Sequence, residues 1–285
     1  MSAFGRLHPV VNFIFFAFVL VLSMVWTHPM LQILGLVLAG LAVLACLGWR
    51  GLWNQLRFGL PLMVFTALLN PILSHEGSTV LFYFPWDSAC TMESLFYGLS
   101  VGLRLGMVLL WFAVWNCVFT TDKFVFLFGR TLPSVSLVIS MGLSLVPRLI
   151  RRFQQVSDVQ RCLKSDSKGL RHVGRCVSIV ITWALENALD TADSMRGRGY
   201  GLRPRSYFSI YRFTLHDGLA LCVLLPLCVL SATAAVMGWA DWNYYPVLSG
   251  SGGWKLMLTT LSFSLLALYP LILEGKEVLA WRASN

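Results

Sequence analysis

The chain has 285 residues, of which 57% are hydrophobic and only 12% are charged, and its mean hydropathy is +0.70. A soluble domain usually has about 25% charged residues, so this composition predicts an integral membrane protein and excludes an ordinary soluble domain. The net charge is +9, and 15 of the 22 lysines and arginines lie between Asp122 and Arg212. Such clustering indicates a segment that faces anionic lipid or an acidic partner. Because the charges alternate with an apolar stripe and not with exposed aromatic residues, the pattern argues against nucleic acid.

Six apolar runs approach the length of about 20 residues that a membrane-spanning helix needs. The predicted spans are 10–26, 30–49, 58–73, 95–120, 219–239 and 256–273. The first run leads into the second, so we interpret it as a span and not as a cleaved signal peptide. The third is the weakest, because Pro61 and Pro71 interrupt it. Residues 79–84 predict a short strand or an interfacial aromatic patch.

The distribution of basic residues predicts an orientation. The loops 27–29, 74–93 and 240–253 contain no Lys or Arg. With six spans, all the basic segments lie on the other side, which places both termini in the cytoplasm. The domains that follow are an N-terminal membrane domain (1–120, about four spans), a cytoplasmic region (121–214) and a C-terminal membrane part (215–285, two spans).

Motifs for metal, nucleotide or disulfide chemistry are lacking in the sequence. The seven cysteines form no Cys-x-x-Cys pair, and most lie in apolar runs. We interpret them as small hydrophobic residues and predict no metal site and no cofactor. No Gly-x-x-x-x-Gly-Lys-Ser/Thr motif occurs, so the chain has no nucleotide site of that type.

One basic residue, Arg104, lies well inside the fourth predicted span. Ionisable residues at such a depth are rare and usually functional. Gly98, Gly102 and Gly106 follow one another at four-residue spacing, which lets two helices approach closely. Alternatively, therefore, Arg104 pairs with an acidic residue at a helix-packing seam, and both interpretations stay open.

The region 121–214 predicts two long amphipathic helices joined by a short polar turn. The first begins near Pro133, is apolar all round from 134 to 146, and should kink at Pro147. Its later apolar face comprises Leu149, Phe153, Val156 and Leu163. The apolar face of the second helix comprises Val173, Val177, Val180, Ala184, Ala188, Ala192 and Met195. We expect an antiparallel or crossed pair against the membrane, with basic tips formed by Arg161 and Lys164 on the first helix and by Arg196 and Arg198 on the second.

The second helix should end in the run Met195-Arg196-Gly197-Arg198-Gly199-Tyr200-Gly201. Gly199 and Gly201 accept positive φ and close the helix, and Pro204 disfavours its continuation. Arg198 then lies at the helix end, where a cation complements the helix dipole and projects outward. The pattern is typical of a docking element.

Four segments carry a family resemblance. They are Leu7-His8-Pro9, Thr120-Thr121-Asp122-Lys123-Phe124, Leu145-Val146-Pro147-Arg148-Leu149 followed by Val159-Gln160-Arg161, and Met195 to Gly201. Together they resemble the transmembrane T-component of energy-coupling factor (ECF) transporters, a family that includes the cobalt-transport membrane subunit. The resemblance implies an all-α integral membrane protein with about six transmembrane helices and a cytoplasmic pair of long amphipathic coupling helices.

The resemblance also implies partners and a location. The T-component is a non-catalytic subunit of the bacterial or archaeal cytoplasmic membrane. It links two ABC-type ATPase subunits to a small substrate-binding membrane subunit, and the assembly takes up a vitamin or a transition metal. The lipid bilayer is a further implied partner, and nucleic acid is not.

Each coupling helix of the family carries a short Ala-Arg-Gly-like motif, whose arginine enters a groove on an ATPase. Gly197-Arg198-Gly199 resembles the second motif, with Gly in place of Ala. The first motif should fall at Cys162-Leu163-Lys164, where Leu163 occupies the arginine position. Arg161 or Lys164 is then the candidate substitute.

Two other function classes compete with a coupling subunit. An intramembrane metal-dependent lipid or prenyl transferase needs clustered acidic residues, and the suggestive set is the acidic stripe of Glu186, Asp190 and Asp193. The more ordinary expectation is that this stripe pairs with Arg196, Arg198 or basic residues of the first helix. A stand-alone secondary carrier should show inverted repeats or paired broken helices, and the sequence shows no internal repeat.

Overall fold

The apolar runs form long helices in the computed structural model, which describes residues 4–73, 77–83, 89–129, 133–163, 169–202, 211–245, 248–250 and 252–283. The α helices of these residues are α1 (Pro9–Val25), α2 (Pro29–Leu73), α3 (Met92–Val118), α4 (Thr121–Gly129), α5 (Pro133–Cys162), α6 (Leu170–Gly197), α7 (Leu215–Val236) and α8 (Trp254–Ala283). A 3-10 turn at Phe4–Arg6 precedes them. The chain is an all-α membrane protein.

Two small antiparallel strand pairs complete the described elements. β1 (Val80–Tyr83) pairs with β2 (Ala89–Thr91), and β3 (Trp242–Asn243) pairs with β4 (Ser249–Gly250). The short strand predicted within residues 79–84 is therefore confirmed. Each strand pair connects two helices, α2 to α3 and α7 to α8.

Within the described residues, five helices are long and apolar enough to cross a bilayer, namely Pro29–Leu73, Met92–Val118, Ser134–Cys162, Leu215–Val236 and Trp254–Lys276. This set differs from the six predicted spans. The first predicted span corresponds to α1, which has 17 residues and is shorter than the others. The second and third both lie in α2, but as two arms that meet at the non-helical Gly48. The arms fold back on each other, because Gly35 of the first and Met63 of the second contact the adjacent α3 residues Met107 and Gly106. Most of α5 joins the set.

The sequence also predicts a short basic loop between the second and third spans, marked by Arg50, Asn54 and Arg57. That prediction is wrong, because these residues are helical. The break in α2 is confined to Gly48, whose φ of 72° and ψ of −177° are not helical. Glycine adopts this conformation readily because it has no Cβ. Two arginines on an exposed helical surface are indistinguishable in sequence from two arginines in a loop, and this explains the error.

The chain forms two compact units. The first comprises Met1–Lys123 and Tyr211–Asn285, and the second comprises Phe124–Ile210. The core of the first unit is rich in aromatic side chains. Phe4 lies edge-on to Phe15 at 5.1 Å and to Phe16 at 5.8 Å between ring centroids, and Phe15 in turn lies 5.9 Å from Trp111 of α3.

A buried lysine fixes the N-terminal segment, residues Phe4 to His8, on the first unit. Lys123 is only 4% exposed, and its Nζ donates to the carbonyl oxygens of Gly5 at 2.6 Å and Val118 at 2.8 Å. With its amide oriented to satisfy its neighbours, Asn12 accepts from Nζ at 3.0 Å and donates to the Phe4 carbonyl at 3.2 Å. Burial lowers the pKa of Lys123, and the three oxygens offset the cost of removing the ammonium group from water.

A buried carboxylate holds the other end of the N-terminal segment. Asp217 accepts a hydrogen bond from the His8 backbone N–H at 2.8 Å. It also accepts from the N–H and the hydroxyl of Thr214, at 2.9 and 2.7 Å, which completes a capping box at the start of α7. The N-terminal segment thus binds Lys123 and Asp217, which lie near the two points where the chain passes between the units, 123–124 and 210–211. We call these two points the crossings.

We predict that Lys123→Met destabilises the first unit by about 1–3 kcal/mol, because methionine has a similar length but leaves the Gly5 and Val118 carbonyls without their donor. The thermal unfolding midpoint in detergent, followed by tryptophan fluorescence, measures the change. Lys255→Met is the matched control, since Lys255 lies exposed at the start of α8. Equal midpoints for the two variants would show that the Lys123 contacts contribute nothing.

Three glycines of α3 pack against the later half of α2. A Cβ added to Gly98 would collide with the Ala67 carbonyl and Asn70, and one added to Gly102 would lie 2.8 Å from the Met63 carbonyl. A Cβ on Gly106 would meet the Met63 side chain. The close helix approach predicted from the four-residue glycine spacing is confirmed.

We therefore expect Gly98→Ala to destabilise the α2–α3 contact by about 1–3 kcal/mol, since the nearest obstructing atom is the Ala67 carbonyl oxygen, a backbone atom that cannot move aside easily. Gly142→Ala is the control. It is also helical, but its added Cβ would meet nothing within 4 Å, so it should be neutral or slightly stabilising. The yield of monodisperse protein and the thermal unfolding midpoint distinguish the two variants. A Gly98→Ala protein as stable as Gly142→Ala would refute the close contact.

Candidate functional site

The second unit is built on α5 and α6, which pack in antiparallel directions. Ser157 Oγ lies 3.3 Å from His172 Nε2, near the end of α5 and the start of α6. Arg152, earlier in α5, lies 5.3 Å over the ring of Trp183, later in α6. An antiparallel pair is one of the two arrangements predicted from the sequence.

The rotational position of α6 differs from the prediction. The buried residues of α6 are Cys176 and Val180. Val180 belongs to the predicted apolar face, but Val173 and Val177 are 46% and 41% exposed. Ala188 and Ala192 are exposed as well. The side of α6 that packs on α5 carries His172, which contacts Ser157, and the small residue Cys176. The spacing of apolar residues does not predict contacts of these types.

The first half of α5 is apolar and exposed. Val138 and Val146 are 67% and 53% exposed, and the span 134–162 qualifies by hydropathy as a membrane helix. α5 continues past Pro147 as one helix to Cys162, so no break accompanies the predicted kink.

The end of α6 has the hydrogen bonds of a Schellman motif. Tyr200 N–H donates to the Met195 carbonyl at 2.9 Å, and Gly199 N–H donates to the Arg196 carbonyl at 3.0 Å. Gly199 takes φ 77° and Gly201 takes φ 105°, as the sequence predicts. Arg198 is the C-cap residue, held between the last helical turn and the left-handed glycine.

Arg198 and its neighbour Arg196 are exposed, and neither forms a salt bridge within the described residues. Gly197 beside them is also exposed, and a Cβ there would meet nothing within 4 Å. The alanine that the ECF motif has at this position would therefore fit. The arrangement presents an exposed guanidinium from a fixed backbone position, which is suited to a carboxylate or a backbone carbonyl of another protein.

The corresponding end of α5 presents a different set of side chains. Arg161 and Cys162, in the last helical turn, are exposed. Leu163 follows, 70% exposed, with its N–H bonded to the Val159 carbonyl at 3.0 Å. Lys164 lies outside the described residues. Arg161 is thus the basic residue that the described part of this helix end offers.

The expected pairing of the acidic stripe is wrong. Glu186, Asp190 and Asp193 are exposed on α6, and no salt bridge joins them to a basic side chain in the part of the chain that the structure describes. Over the described ranges no group of three His, Cys, Asp or Glu side chains is arranged to hold a metal ion.

Of the two interpretations of Arg104, the pairing with an acidic side chain is not seen among the described residues. Its Nη2 donates to Ser100 Oγ, one turn earlier in α3, at 3.2 Å. Ser100 Oγ accepts a second hydrogen bond from Gln32 Nε2 at 2.7 Å. The glycines around Arg104 do form a packing seam, but the arginine itself joins a neutral polar cluster.

Sequence reasoning did not identify several polar residues of the first unit. Lys123 and Asp217 bind backbone groups, and Gln32 bonds to a serine 68 positions away. The available signal was their position at or near the ends of apolar runs, where an isolated polar residue needs a partner. The partners are distant in sequence and largely backbone atoms, so no local pattern names them.

No protein-family model matches the chain, and no curated protein matches it either.

We predict that Gly199→Ala loosens the end of α6, because a side chain at φ 77° costs about 1 kcal/mol. Gly197→Ala is the matched control, and it should leave the helix end intact or strengthen it. Amide hydrogen exchange at residues 197–202 is the measurement. Faster exchange is expected only for the Gly199 variant, and equal rates would contradict the Schellman closure.

Proposed function

We propose that this chain is the transmembrane coupling subunit of an ECF-type ABC importer. In this proposal it transmits the conformational change of two ABC-type ATPases to a separate small membrane protein, which binds the vitamin or transition metal to be taken up. The chain itself catalyses nothing and holds no cofactor. It resides in a bacterial or archaeal cytoplasmic membrane with both termini and the α5–α6 pair in the cytoplasm.

The observation that carries the proposal is the end of α6. Its Schellman motif fixes Arg198 at the helix tip, and the guanidinium is exposed without an ion partner in the described residues. The motif fixes the backbone from which the side chain extends, and a guanidinium forms strong, directional contacts with carboxylates. The resemblance of residues 195–201 to the ECF motif supplies the partner, a groove on an ATPase.

The division of the chain supports a transmitting role. The α5–α6 pair belongs to a unit of its own, connected to the first unit through the chain at 123–124 and 210–211. Beside both crossings, Lys123 and Asp217 bind the N-terminal segment. A displacement of the α5–α6 pair by closing ATPases would therefore act on anchored points of the first unit, as in rigid-body coupling.

Arg161 takes the role of the first-motif arginine in this proposal. It is exposed in the last turn of α5, whereas Leu163 at the motif position has no donor for a polar groove. Because Arg161 lies two residues before that position, its contact with the second ATPase would differ from that of Arg198. We propose an unequal pair of ATPase contacts.

The test is co-purification of the tagged full chain with the ABC ATPases of its own cell. We expect the wild type to retain an ATPase pair and Arg198→Ala to lose it, or to lose at least about tenfold in affinity, since a buried charge-assisted contact of this kind is worth roughly 1.5–3 kcal/mol. Arg161→Ala should weaken the contact less.

The matched control is Arg171→Ala, because Arg171 is an exposed arginine near the opposite end of α6. It should bind as the wild type does. If the intact chain retains no ATPase, the proposed function is wrong. If Arg171→Ala and Arg198→Ala weaken retention equally, general positive charge and not the α6 tip makes the contact.

A further inference from the structure

Arg104 is a charged residue inside an apolar helix, and the described residues provide it with no anionic partner. α3 qualifies as a membrane-spanning helix, and no acidic side chain among the described residues forms a salt bridge with Arg104. A charge in such a helix is costly unless an opposite charge or water compensates it. It bonds instead to a neutral side chain, Ser100, which also accepts from Gln32.

The guanidinium lies nearer one end of the bundle than its position in α3 suggests. Side chains in a helix tilt toward its N-terminus, and Nη2 of Arg104 reaches Ser100, a full turn earlier. Gln32, which also bonds to Ser100, donates to the Trp26 and Thr27 carbonyls at 3.1 and 3.2 Å. These carbonyls form the turn between α1 and α2, so the arginine points toward that turn.

Tyrosines line the same end of the bundle. Tyr244 donates its hydroxyl to the Thr27 carbonyl at 2.9 Å. Tyr97 of α3 lies 5.6 Å from Tyr244 and 5.4 Å from Tyr245 between ring centroids. Tyrosine is typical of the boundary between hydrocarbon and water, and this places the cluster near the membrane surface.

Two buried polar atoms of the cluster lack partners. Arg104 Nε is an enclosed donor and Gln32 Oε1 an enclosed acceptor, and neither has a hydrogen bond within the described residues. Both belong to side chains that hold Ser100 Oγ, so they flank the same hydroxyl. Buried polar groups in proteins are rarely left unpaired, and an exception commonly marks a bound molecule or water. An anion would satisfy the donor, Arg104 Nε, whereas the acceptor, Gln32 Oε1, needs a donor such as water.

We propose that this cluster binds an oxyanion, a phosphate or carboxylate group, with Arg104 as its cation. Ser100 and Gln32 are positioning residues, because they hold the guanidinium toward the α1–α2 turn. The planar guanidinium suits two parallel hydrogen bonds to such a group. The tyrosine-lined surroundings admit the headgroup of an anionic lipid as well as a small soluble anion. The site is independent of ATPase coupling at Arg198.

Binding of two probes to the full-length chain tests the site. The protein is kept in dodecyl maltoside, a sugar detergent that has no phosphate. One probe is inorganic phosphate, followed by the thermal unfolding midpoint. The other is phosphatidylglycerol, followed by native mass spectrometry of the protein–lipid complex.

We expect wild type to bind at least one probe and Arg104→Gln to bind it about tenfold to a hundredfold more weakly. Ser100→Ala, which keeps the charge but frees the guanidinium, should weaken binding by a smaller factor. Arg148→Gln, which removes an exposed arginine of α5, should bind as the wild type does. If Arg104→Gln does not fold, Arg104→Lys replaces it, and severalfold weaker binding is expected because lysine cannot form the bidentate contact.

The two probes separate the sources of the anion. Arg104-dependent binding of phosphatidylglycerol alone identifies a lipid headgroup site, and an Arg104-dependent effect of inorganic phosphate identifies a site for soluble anions. The proposal is overturned if the wild type binds neither probe. It is also overturned if Arg104→Gln binds as tightly as the wild type, or if Arg148→Gln weakens binding as much as Arg104→Gln does.

Discussion

The first unit depends on a buried ammonium group that is satisfied by backbone and side-chain oxygens and not by a carboxylate. Lys123 Nζ, with 4% of the residue exposed, holds the carbonyls of Gly5 and Val118. Placing a cation out of water costs several kcal/mol unless its donors are met. The arrangement is therefore stable only while the N-terminal segment stays in place, and the aromatic packing of Phe4 on α1 depends on the same contact. One side chain thus couples the chain's beginning to the end of α3.

Asp217 extends this constraint to the second crossing between the units. Its carboxylate caps α7 and receives the His8 N–H, so the start of α7 and the end of α3 are fixed on one short N-terminal segment. Lys123 and Asp217 are not paired with each other, and each binds backbone. This matters for a coupling role, because backbone contacts hold position more strictly than two flexible charged side chains in an ion pair.

Local features of the backbone were predictable from the sequence, whereas the face that each helix turns toward its neighbour was not. The left-handed glycines that end α6 follow from residue type alone, and the α2–α3 approach follows from the spacing of Gly98, Gly102 and Gly106. The seam of α6 does not, because the Ser157–His172 contact and Cys176 shift it away from the valines that periodicity favours. The Gln32–Ser100 contact beside Arg104 was missed for another reason. Hydrogen bonds across 68 residues leave no trace in a single sequence.

Arg104 and Arg198 have the same side chain in opposite surroundings, and this difference argues for different uses. Arg198 is exposed beyond the last turn of α6, so water solvates it well and a partner's carboxylate must displace that water. Such a contact has a modest net free energy and reverses readily, as a transmitted motion requires. Arg104 lies in an apolar helix with its Nε enclosed. Loss of an anion there would leave the charge with little solvation, so an anion at Arg104 should exchange slowly and behave as a structural component of the first unit.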